Sequence, residues 1–331
     1  MNPSLHIGTN PLRLSPGAVA GQPVNQDGQP FYQIANYDRM RPFFLSVVSS
    51  TDLWMFISST GALTAGRRNP DLALFPYATE DKIHDSAEIT GSKTVILAGH
   101  RGRCRLWEPF SDRCRGVYRI RRNLRKNTWG NQLVFEEANE DLALTFRYGW
   151  CNSDRFGFVR RAWLANAGPA SVKIRLLDGI QNLMPCGVGS QFQIEKSVLL
   201  DAYKRNELLP QSGLALFRLS SIPIDRPEPA EALQTTVAWA VGLDRCRRLL
   251  SGTQLDRFRQ GLPVRQETDV RAERGAYFLQ SEFTLRPGKT AEWLIVADVG
   301  RGPSGVVELD QLLRRPARLR PQISHGQVAV R

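Results

Sequence analysis

Residues 54–77, WMFISSTGALTAGRRNPDLALFPY, are the centre of the stretch that decides the fold, which runs from 43 to 95. Two apolar segments, FFLSVVSS at 43–50 and LWMFISS at 53–59, precede a glycine-rich polar segment, GALTAGRRNP at 61–70. As an extended strand, the second segment would be apolar on both faces. One face would carry Leu53, Met55 and Ile57, and the other Trp54 and Phe56. This pattern is typical of a strand covered on both sides. We therefore predict a doubly covered central strand that leads into a polar loop.

The rest of the chain repeats short apolar segments separated by turn residues. Four of them follow one another closely, at 133–137, 142–148, 156–164 and 172–177. Their spacing, without helical periodicity between them, predicts an antiparallel meander. Further strands are predicted at 31–34, 94–97, 214–220 and 235–242, and a hairpin at 277–285 and 291–299 around Arg286–Lys289. A short helix is predicted at 253–261, and residues 195–209 fit either a helix or an irregular crossover.

These predicted strands, about a dozen in all, are too many for one small barrel. We predict a mainly β protein, a large antiparallel two-sheet sandwich with a few short helices. Residues 1–30 lack periodicity and are rich in Pro, Gly, Asn and Gln, which predicts an extended arm. The predicted domain covers 31–305. Residues 306–331 are predicted to be the start of a linker toward a helical domain, because Pro316 and Pro321 interrupt the helical pattern there.

Composition narrows the classes of protein. No apolar segment approaches the roughly 20 residues that span a bilayer, and the N-terminus has no secretory signal pattern. The five cysteines are scattered without a C-x-x-C pair and the four histidines are dispersed, which favours a reduced cytoplasmic protein without a metal site. The net charge of +12 suggests binding to nucleic acid. However, the only dense cluster of basic residues is RIRRNLRK at 119–126. This cluster fits a solvated strand end as well as a loop that contacts a polyanion.

Several segments resemble a known family. They are LWMFISSTGALTAGRRNPDLALFPY at 53–77 with KIHD at 82–85, RRAWLANAG at 160–168, LLDGIQNLMP at 176–185, DAYKRN at 201–206 and the RPGK turn at 286–289. Together they resemble the N-terminal domain of cellobiose-phosphorylase-like proteins, the glycoside hydrolase family 94 relatives, over residues 31–299. This resemblance implies the galactose-mutarotase-like supersandwich fold.

In that family the sandwich precedes an (α/α)6 barrel that carries the catalytic acid. The resemblance therefore implies a non-catalytic domain of a glycoside phosphorylase or hydrolase acting on a β-glucoside-type oligosaccharide. Its implied partners are carbohydrate, phosphate, a C-terminal barrel in cis or in trans, and a second copy in a homodimer. It implies no cofactor, and neither a membrane nor a nucleic acid is among these partners. Two alternatives stay open: a stand-alone carbohydrate-binding protein without turnover, and an aldose 1-epimerase.

Two short segments hold the candidate substrate-binding residues: Arg67, Arg68, Asn69; Lys82, His84, Asp85. In the first, glycines permit close backbone approach and arginines offer a bidentate fork for an anion, although the Lys-Ser/Thr of a phosphate-binding loop is missing. The alternative is a connecting loop with solvated arginines. In the second, His84 beside Asp85 is the better histidine for an epimerase, with His100 as the other.

Carboxyl groups that could cleave a glycosidic bond are few. The candidates are Asp81, Asp85 and Glu88, and the adjacent pair Glu136 and Glu137. Adjacent residues of a strand point to opposite faces, so Glu136 and Glu137 are a poor catalytic pair. Asp178 and Asn182 follow a strong strand and are predicted to bind local backbone in a turn. We therefore assign no catalytic residue.

Overall fold

The computed structural model describes residues 5–13, 17–26, 28–100, 102–221 and 233–315, without the side chains of Glu80, Asp81 and His100. The proline- and acid-rich segment IDRPEPAEA at 224–232, for which we predict a surface loop, and the end of the predicted linker, 316–331, lie outside these residues. Within the described residues, no helix is long and apolar enough to cross a membrane.

The described chain consists mostly of strands. In order they are β1 His6–Ile7, β2 Asn10–Pro11, β3 Ala20–Gln26, β4 Gln29–Ala35, β5 Phe44–Ser46, β6 Leu53–Ser58, β7 Leu63–Arg67, β8 Ala73–Phe75, β9 Gly91–His100, β10 Arg103–Trp107, β11 Ile120–Asn127, β12 Gln132–Asn139, β13 Leu144–Ser153, β14 Gly157–Asn166, β15 Val172–Leu183, β16 Lys204–Leu209, β17 Leu214–Leu219, β18 Thr235–Val241, β19 Arg247–Leu249, β20 Asp269–Arg271, β21 Gly275–Leu285 and β22 Thr290–Arg301. The α-helices are short: α1 Glu80–Ile83, α2 Ser190–Glu195, α3 Ser197–Tyr203, α4 Leu255–Arg259 and α5 Pro303–Leu313. The predicted mainly β class is confirmed.

Three antiparallel sheets form the sandwich. The largest has 11 strands in the order β20-β16-β17-β18-β22-β14-β13-β12-β11-β4-β3. Facing it are a five-stranded sheet, β10-β9-β15-β21-β19, and a four-stranded sheet, β5-β6-β7-β8. One apolar core joins residues from all three, among them Ile57, Leu176 and Trp293. The predicted two-layer sandwich therefore has one continuous layer and one divided layer.

Helices cover parts of the outer faces. Helix α5 packs Leu309 and Leu313 on Trp239 and Val296 of the large sheet. Helix α4 places Phe258 on the outer face of the five-stranded sheet, where it joins a second cluster with Val95, Leu97, Leu177 and Phe278. Strands β9, β15 and β21 are therefore apolar on both faces, because each face meets a different layer.

The prediction for β6 was wrong. One face is buried, but on the other face Phe56 is 43% exposed and Trp54 is half-buried. Trp54 contacts the rings of Phe56 and Tyr77, so the aromatic side chains cover each other rather than a further layer. Strands β9, β15 and β21 are covered on both sides, whereas β6 is not.

The predicted polar loop at 61–69 was also wrong, because most of it is strand β7. Small residues are needed there. A Cβ on Gly66 would lie 2.4 Å from the Leu72 carbonyl oxygen and 2.7 Å from Trp54 Cζ2. Only glycine lets the chain pass this closely beneath the indole ring.

Strand pairing also differs from the predicted order at two places. Strands β12 to β14 form three strands of the predicted meander, with β11 ahead of them, but β15, its fourth predicted strand, crosses to the five-stranded sheet. The turn at Arg286–Lys289 is present, with Lys289 N donating to Arg286 O over 3.1 Å and Gly288 at φ 66°. However, β21 and β22 belong to different sheets, so this turn is a connection between layers and not a hairpin.

The N-terminal part of the chain contains strands that the sequence analysis did not predict. Strand β3 pairs along its whole length with β4 at the edge of the large sheet, and β1 pairs with β2. Order therefore begins before Phe31. Pro23 lies on the edge strand β3, where its missing N–H costs no hydrogen bond within the sheet.

Candidate functional site

A large cleft lies at one end of the five-stranded sheet, where β9 and β21 begin and β15 ends. Its volume is about 710 Å³, within the range of small-molecule sites. Helices α3 and α4 contribute further walls. Residues from these elements line it, among them Lys93, Gln181, Asn182, Asp201, Arg259 and Arg274.

A β-bulge places Asn182 in the wall of this cleft. The pairing of β15 with β21 shifts register between Gln181 and Leu183, and Asn182 adopts φ 61°. Its Nδ2 donates to Thr90 Oγ1 over 2.8 Å, whereas its Oδ1 accepts no hydrogen bond from the described residues. Bulges often turn a side chain toward a functional site. Ala272, at φ 56°, is a second non-glycine residue in this uncommon conformation that lines the cleft.

An ion network builds the wall between β9 and α4. Lys93 pairs with Glu88 and, at 3.1 Å, with Glu108 Oε2. Arg259 holds the carboxylate of Glu108 with two bonds, of 2.7 and 3.0 Å. Lys93 and Glu108 are buried, and each charge is compensated by the other. The network therefore fixes the shape of the cleft on this side.

Glu88 lines the large cleft and two further cavities beside it. Its carboxylate accepts bonds from Ser111 Oγ, at 2.8 Å, and the Asp112 amide, at 3.0 Å, as well as from Lys93. Burial acts to raise the pKa of Glu88, but these partners favour the ionised form and lower its pKa. Glu88 is therefore a fixed anionic acceptor.

Charge in the large cleft is balanced. The carboxylates that line it are Glu88, Asp112, Asp201 and Glu273, and the cations are Lys93, Arg113, Arg259 and Arg274. Equal numbers of both signs give no preference for an anion or a cation. They do supply many hydrogen-bond donors and acceptors, which suit a neutral, polyhydroxylated ligand.

A second cavity, of about 300 Å³, contains His84. Thr60 donates to Ser58 Oγ through both its amide, at 3.1 Å, and its hydroxyl, at 2.8 Å. The hydroxyl hydrogen of Ser58 is therefore directed at His84 Nδ1, which lies 2.6 Å away. Because Nδ1 accepts, the hydrogen of the neutral ring is on Nε2. Ser58 is fully buried, so this pair is a positioning contact and not an accessible nucleophile.

The structure places the candidates Arg67, Arg68 and Asn69 at one end of β7. Arg67 binds Asp298 and Asp52 at 2.7 and 2.5 Å, and Asn69 Oδ1 accepts the amide of Asp71. The guanidinium of Arg68 is exposed, with Asp52 at 3.4 Å. Two of these three side chains are thus used within the fold.

The other candidates lie at the opposite end of the same ribbon. His84 contacts Ser58 at the end of β6, and Leu53 at its beginning pairs with Arg67. The five intervening steps of a strand separate the two groups by roughly 16 Å. Lys82 and Asp85 are exposed. The structure therefore brings His84 to a cavity but does not join the two candidate segments.

The remaining carboxyl and basic candidates form ion pairs in the large sheet. Glu136 and Glu137 point to opposite faces, as predicted, and Glu137 binds Trp107 Nε1 and Arg122 at 2.8 Å. The basic segment 119–126 contains most of β11, and its arginines pair with acidic residues: Arg119 with Asp141, Arg121 with Glu140, Arg122 with Glu137, Arg125 with Glu136. These carboxylates neutralise the arginines whose positive charge would attract a polyanion.

Comparison with known proteins finds similar solved structures at low identity and low TM-score. The sequence matches no protein-family model and no curated protein. One similar solved structure is a polysaccharide lyase, at TM-score 0.39 and 10% identity over 80% of this chain. Another is a bacterial glucoamylase complexed with acarbose, at TM-score 0.40 and 8% identity over 94% of this chain. A Klebsiella pneumoniae protein assigned as an aldose 1-epimerase matches at TM-score 0.31 and 10% identity. The match covers 89% of this chain and 91% of that protein. The chain spans only 33% of the lyase and 38% of the glucoamylase.

Proposed function

We propose that this chain is a carbohydrate-binding domain that holds a neutral oligosaccharide in the cleft beside Asn182. The observation that carries the proposal is the bulge, which turns an amide with an unused oxygen into a cleft of about 710 Å³. Pyranose hydroxyls both donate and accept hydrogen bonds, and the balanced charges of the cleft offer partners for both. The finer proposal is a non-catalytic N-terminal domain of a glycoside phosphorylase or hydrolase acting on β-glucosides.

The electrostatics of the cleft support a non-catalytic role. Glycosidic-bond cleavage uses a carboxylic acid that stays protonated because its surroundings raise its pKa. The pKa of Glu88 is shifted in the opposite direction. We therefore propose that the catalytic acid comes from a helical barrel domain, in cis or in trans. Phosphate and a homodimer belong to the same proposal.

Replacing Asn182 with glycine tests the site. Glycine adopts the positive φ without strain, so only the amide is lost. Because one hydrogen bond contributes about 0.5–1.5 kcal/mol, we expect the affinity for cellobiose to fall roughly two- to tenfold. Titration calorimetry measures this change. Arg68→Gly is the matched control, because Arg68 has a similar φ of 55° but does not line the cleft.

The control also tests the alternative contact at β7. If Arg68→Gly weakens binding while Asn182→Gly does not, the sugar binds at the arginines and the proposal for the cleft fails. Absence of binding by cellobiose, by longer β-glucosides and by either with phosphate added contradicts a carbohydrate-binding function altogether.

An aldose 1-epimerase is the second candidate, because His84 and Glu88 line the same cavity. Epimerisation needs an acid and a base at the ring oxygen and anomeric hydroxyl. The ionised Glu88 is already bound by Lys93, Ser111 and the Asp112 amide, and its lowered pKa makes it a weak base. Polarimetry with α-glucose is therefore expected to show the uncatalysed rate. Acceleration that His84→Ala abolishes would establish the epimerase instead.

A further inference from the structure

We propose that the cavity at His84 is a second subsite of the same groove, so that the ligand is a linear oligosaccharide running past Glu88 from Asn182 to His84. This inference rests on the proposed carbohydrate-binding function and adds the length and path of the ligand. A disaccharide would occupy the large cleft alone. A longer chain would reach both regions.

Shared walls are the first argument. Glu88 lines the large cleft, the cavity at His84 and a small cavity of about 20 Å³ between them. Lys93 lines the large and the small cavity, and Thr60 and Phe110 line the small cavity and the one at His84. Asp112 lines both outer spaces. The three spaces therefore adjoin one another around Glu88, and the proposed path of the ligand crosses the exposed side of this residue.

Complementary chemistry at the two ends is the second argument. The lining of the large cleft contains no aromatic residue among the described ones, whereas the cavity at His84 contains Phe110. Phe110 is half-buried against Tyr148 and Arg122 and gives the cavity an apolar wall, and His84 Nε2–H supplies a donor to the same cavity. Asp38 and Arg115, both exposed, add an acceptor and a donor. One end therefore binds mainly through polar groups and the other through apolar contact and hydrogen bonds.

The junction is held in place by unusual local geometry. Phe110 adopts φ 64°, and its amide donates to Glu137 Oε2 over 2.7 Å. A bulky residue in this conformation persists only where its surroundings enforce it. Ser111 and Asp112, the next two residues, hold the carboxylate of Glu88, whose side chain is 43% exposed. An exposed, fixed acceptor between the two larger cavities is suited to a hydroxyl of a sugar unit that lies over it.

Dependence of affinity on chain length tests the proposal. Titration calorimetry of the full chain with cellobiose, cellotetraose and cellohexaose is expected to show affinity that rises with length. His84→Asn keeps an oxygen that can accept from Ser58 but removes the Nε2–H donor. We expect this variant to weaken binding of the longest chain about three- to tenfold and to leave cellobiose unchanged. Asn182→Gly should weaken all three.

Controls and outcomes separate this proposal from the one it rests on. Lys82→Ala is the matched control, because Lys82 is exposed on the same segment and lines neither cavity. Equal affinity for all lengths, or a chain-length effect that His84→Asn leaves intact, overturns the second subsite while binding of cellobiose at Asn182 stands. If no saccharide binds, the carbohydrate-binding function fails and the subsite fails with it.

Discussion

Replacing Asp178 with alanine is expected to lower the free energy of unfolding by about 3–5 kcal/mol. Asp178 and Arg160 form a bidentate pair with distances of 2.7 and 2.8 Å, and both side chains are fully buried between the sheets. Thr94 Oγ1 and Trp293 Nε1 donate to the same carboxylate, each over 2.6 Å. The substitution leaves a buried guanidinium and two donors without their acceptor, which is the most costly way to break such a network.

Urea denaturation measures this loss, and the neighbouring residue supplies the control. Arg161 is on the same strand and pairs with Glu292 at 3.0 Å, with both side chains 34% exposed. Arg161→Ala should cost less than about 1 kcal/mol, because exposed pairs contribute little. Replacing both Arg160 and Asp178 with leucine should recover part of the loss. A cost for Asp178→Ala no larger than that for Arg161→Ala would contradict the assignment.

Replacing Glu137 with leucine is expected to cost a similar amount, about 3–5 kcal/mol. Glu137 is 1% exposed and accepts from Trp107 Nε1 at 2.8 Å, the Phe110 amide at 2.7 Å and Arg122 Nε at 2.8 Å. Leucine fills the space but satisfies none of these donors. Arg122 would lose the carboxylate that helps raise its pKa above the ordinary value against the opposing effect of burial.

The measurement is again the midpoint of urea unfolding. Glu140→Leu is the control, since Glu140 pairs with Arg121 on the surface at 2.9 Å with the side chains 31% and 55% exposed. We expect that variant to remain within about 1 kcal/mol of the parent protein. Equal stability of the two variants would show that Glu137 is not the acceptor on which this part of the core depends.

Local patterns predicted most of the strands but not their partners. The alternation at 142–148 and the Pro-Gly turn at 286–289 are properties of neighbouring residues, and both features are present. Which sheet a strand joins is decided by distant segments, so β21 was paired with β22 in error. Likewise, an apolar pattern on both faces of 53–58 does not reveal what covers each face.

The candidate site shows the same limit. His84 was selected as a possible epimerase group because it is beside Asp85, and it does line a cavity. Arg67 was selected because arginines next to glycines can bind an anion, but its partner Asp298 is 231 positions away and could not be foreseen. The network of Lys93, Glu108 and Arg259 depends on a separation of 151 positions between the last two. A polar Asn182 interrupting an apolar strand was the available signal for the bulge.

The motif residues that suggested the family have structural roles within this chain. Arg160 and Asp178 form the buried pair between the sheets. Asn166 Nδ2 donates to the carbonyl oxygens of Ala170 and Leu285, and its Oδ1 accepts the amide of Gly168. Sequence similarity of this kind therefore reports on how the sandwich is built, and the chemistry of the cleft needs its own evidence.

Strand β15 also determines when the protein can fold during synthesis. Its Lys173 pairs with Gly99 of β9, and its Val172 pairs with Leu285 of β21. Such distant pairings carry a large loop-closure entropy and make folding slow. Until the later strands emerge from the ribosome, the apolar segment TVILA at 94–98 has only one of its eventual neighbours, β10. A nascent chain in this state exposes an unpaired apolar edge, so chaperone protection of this segment should matter most before β15 is complete.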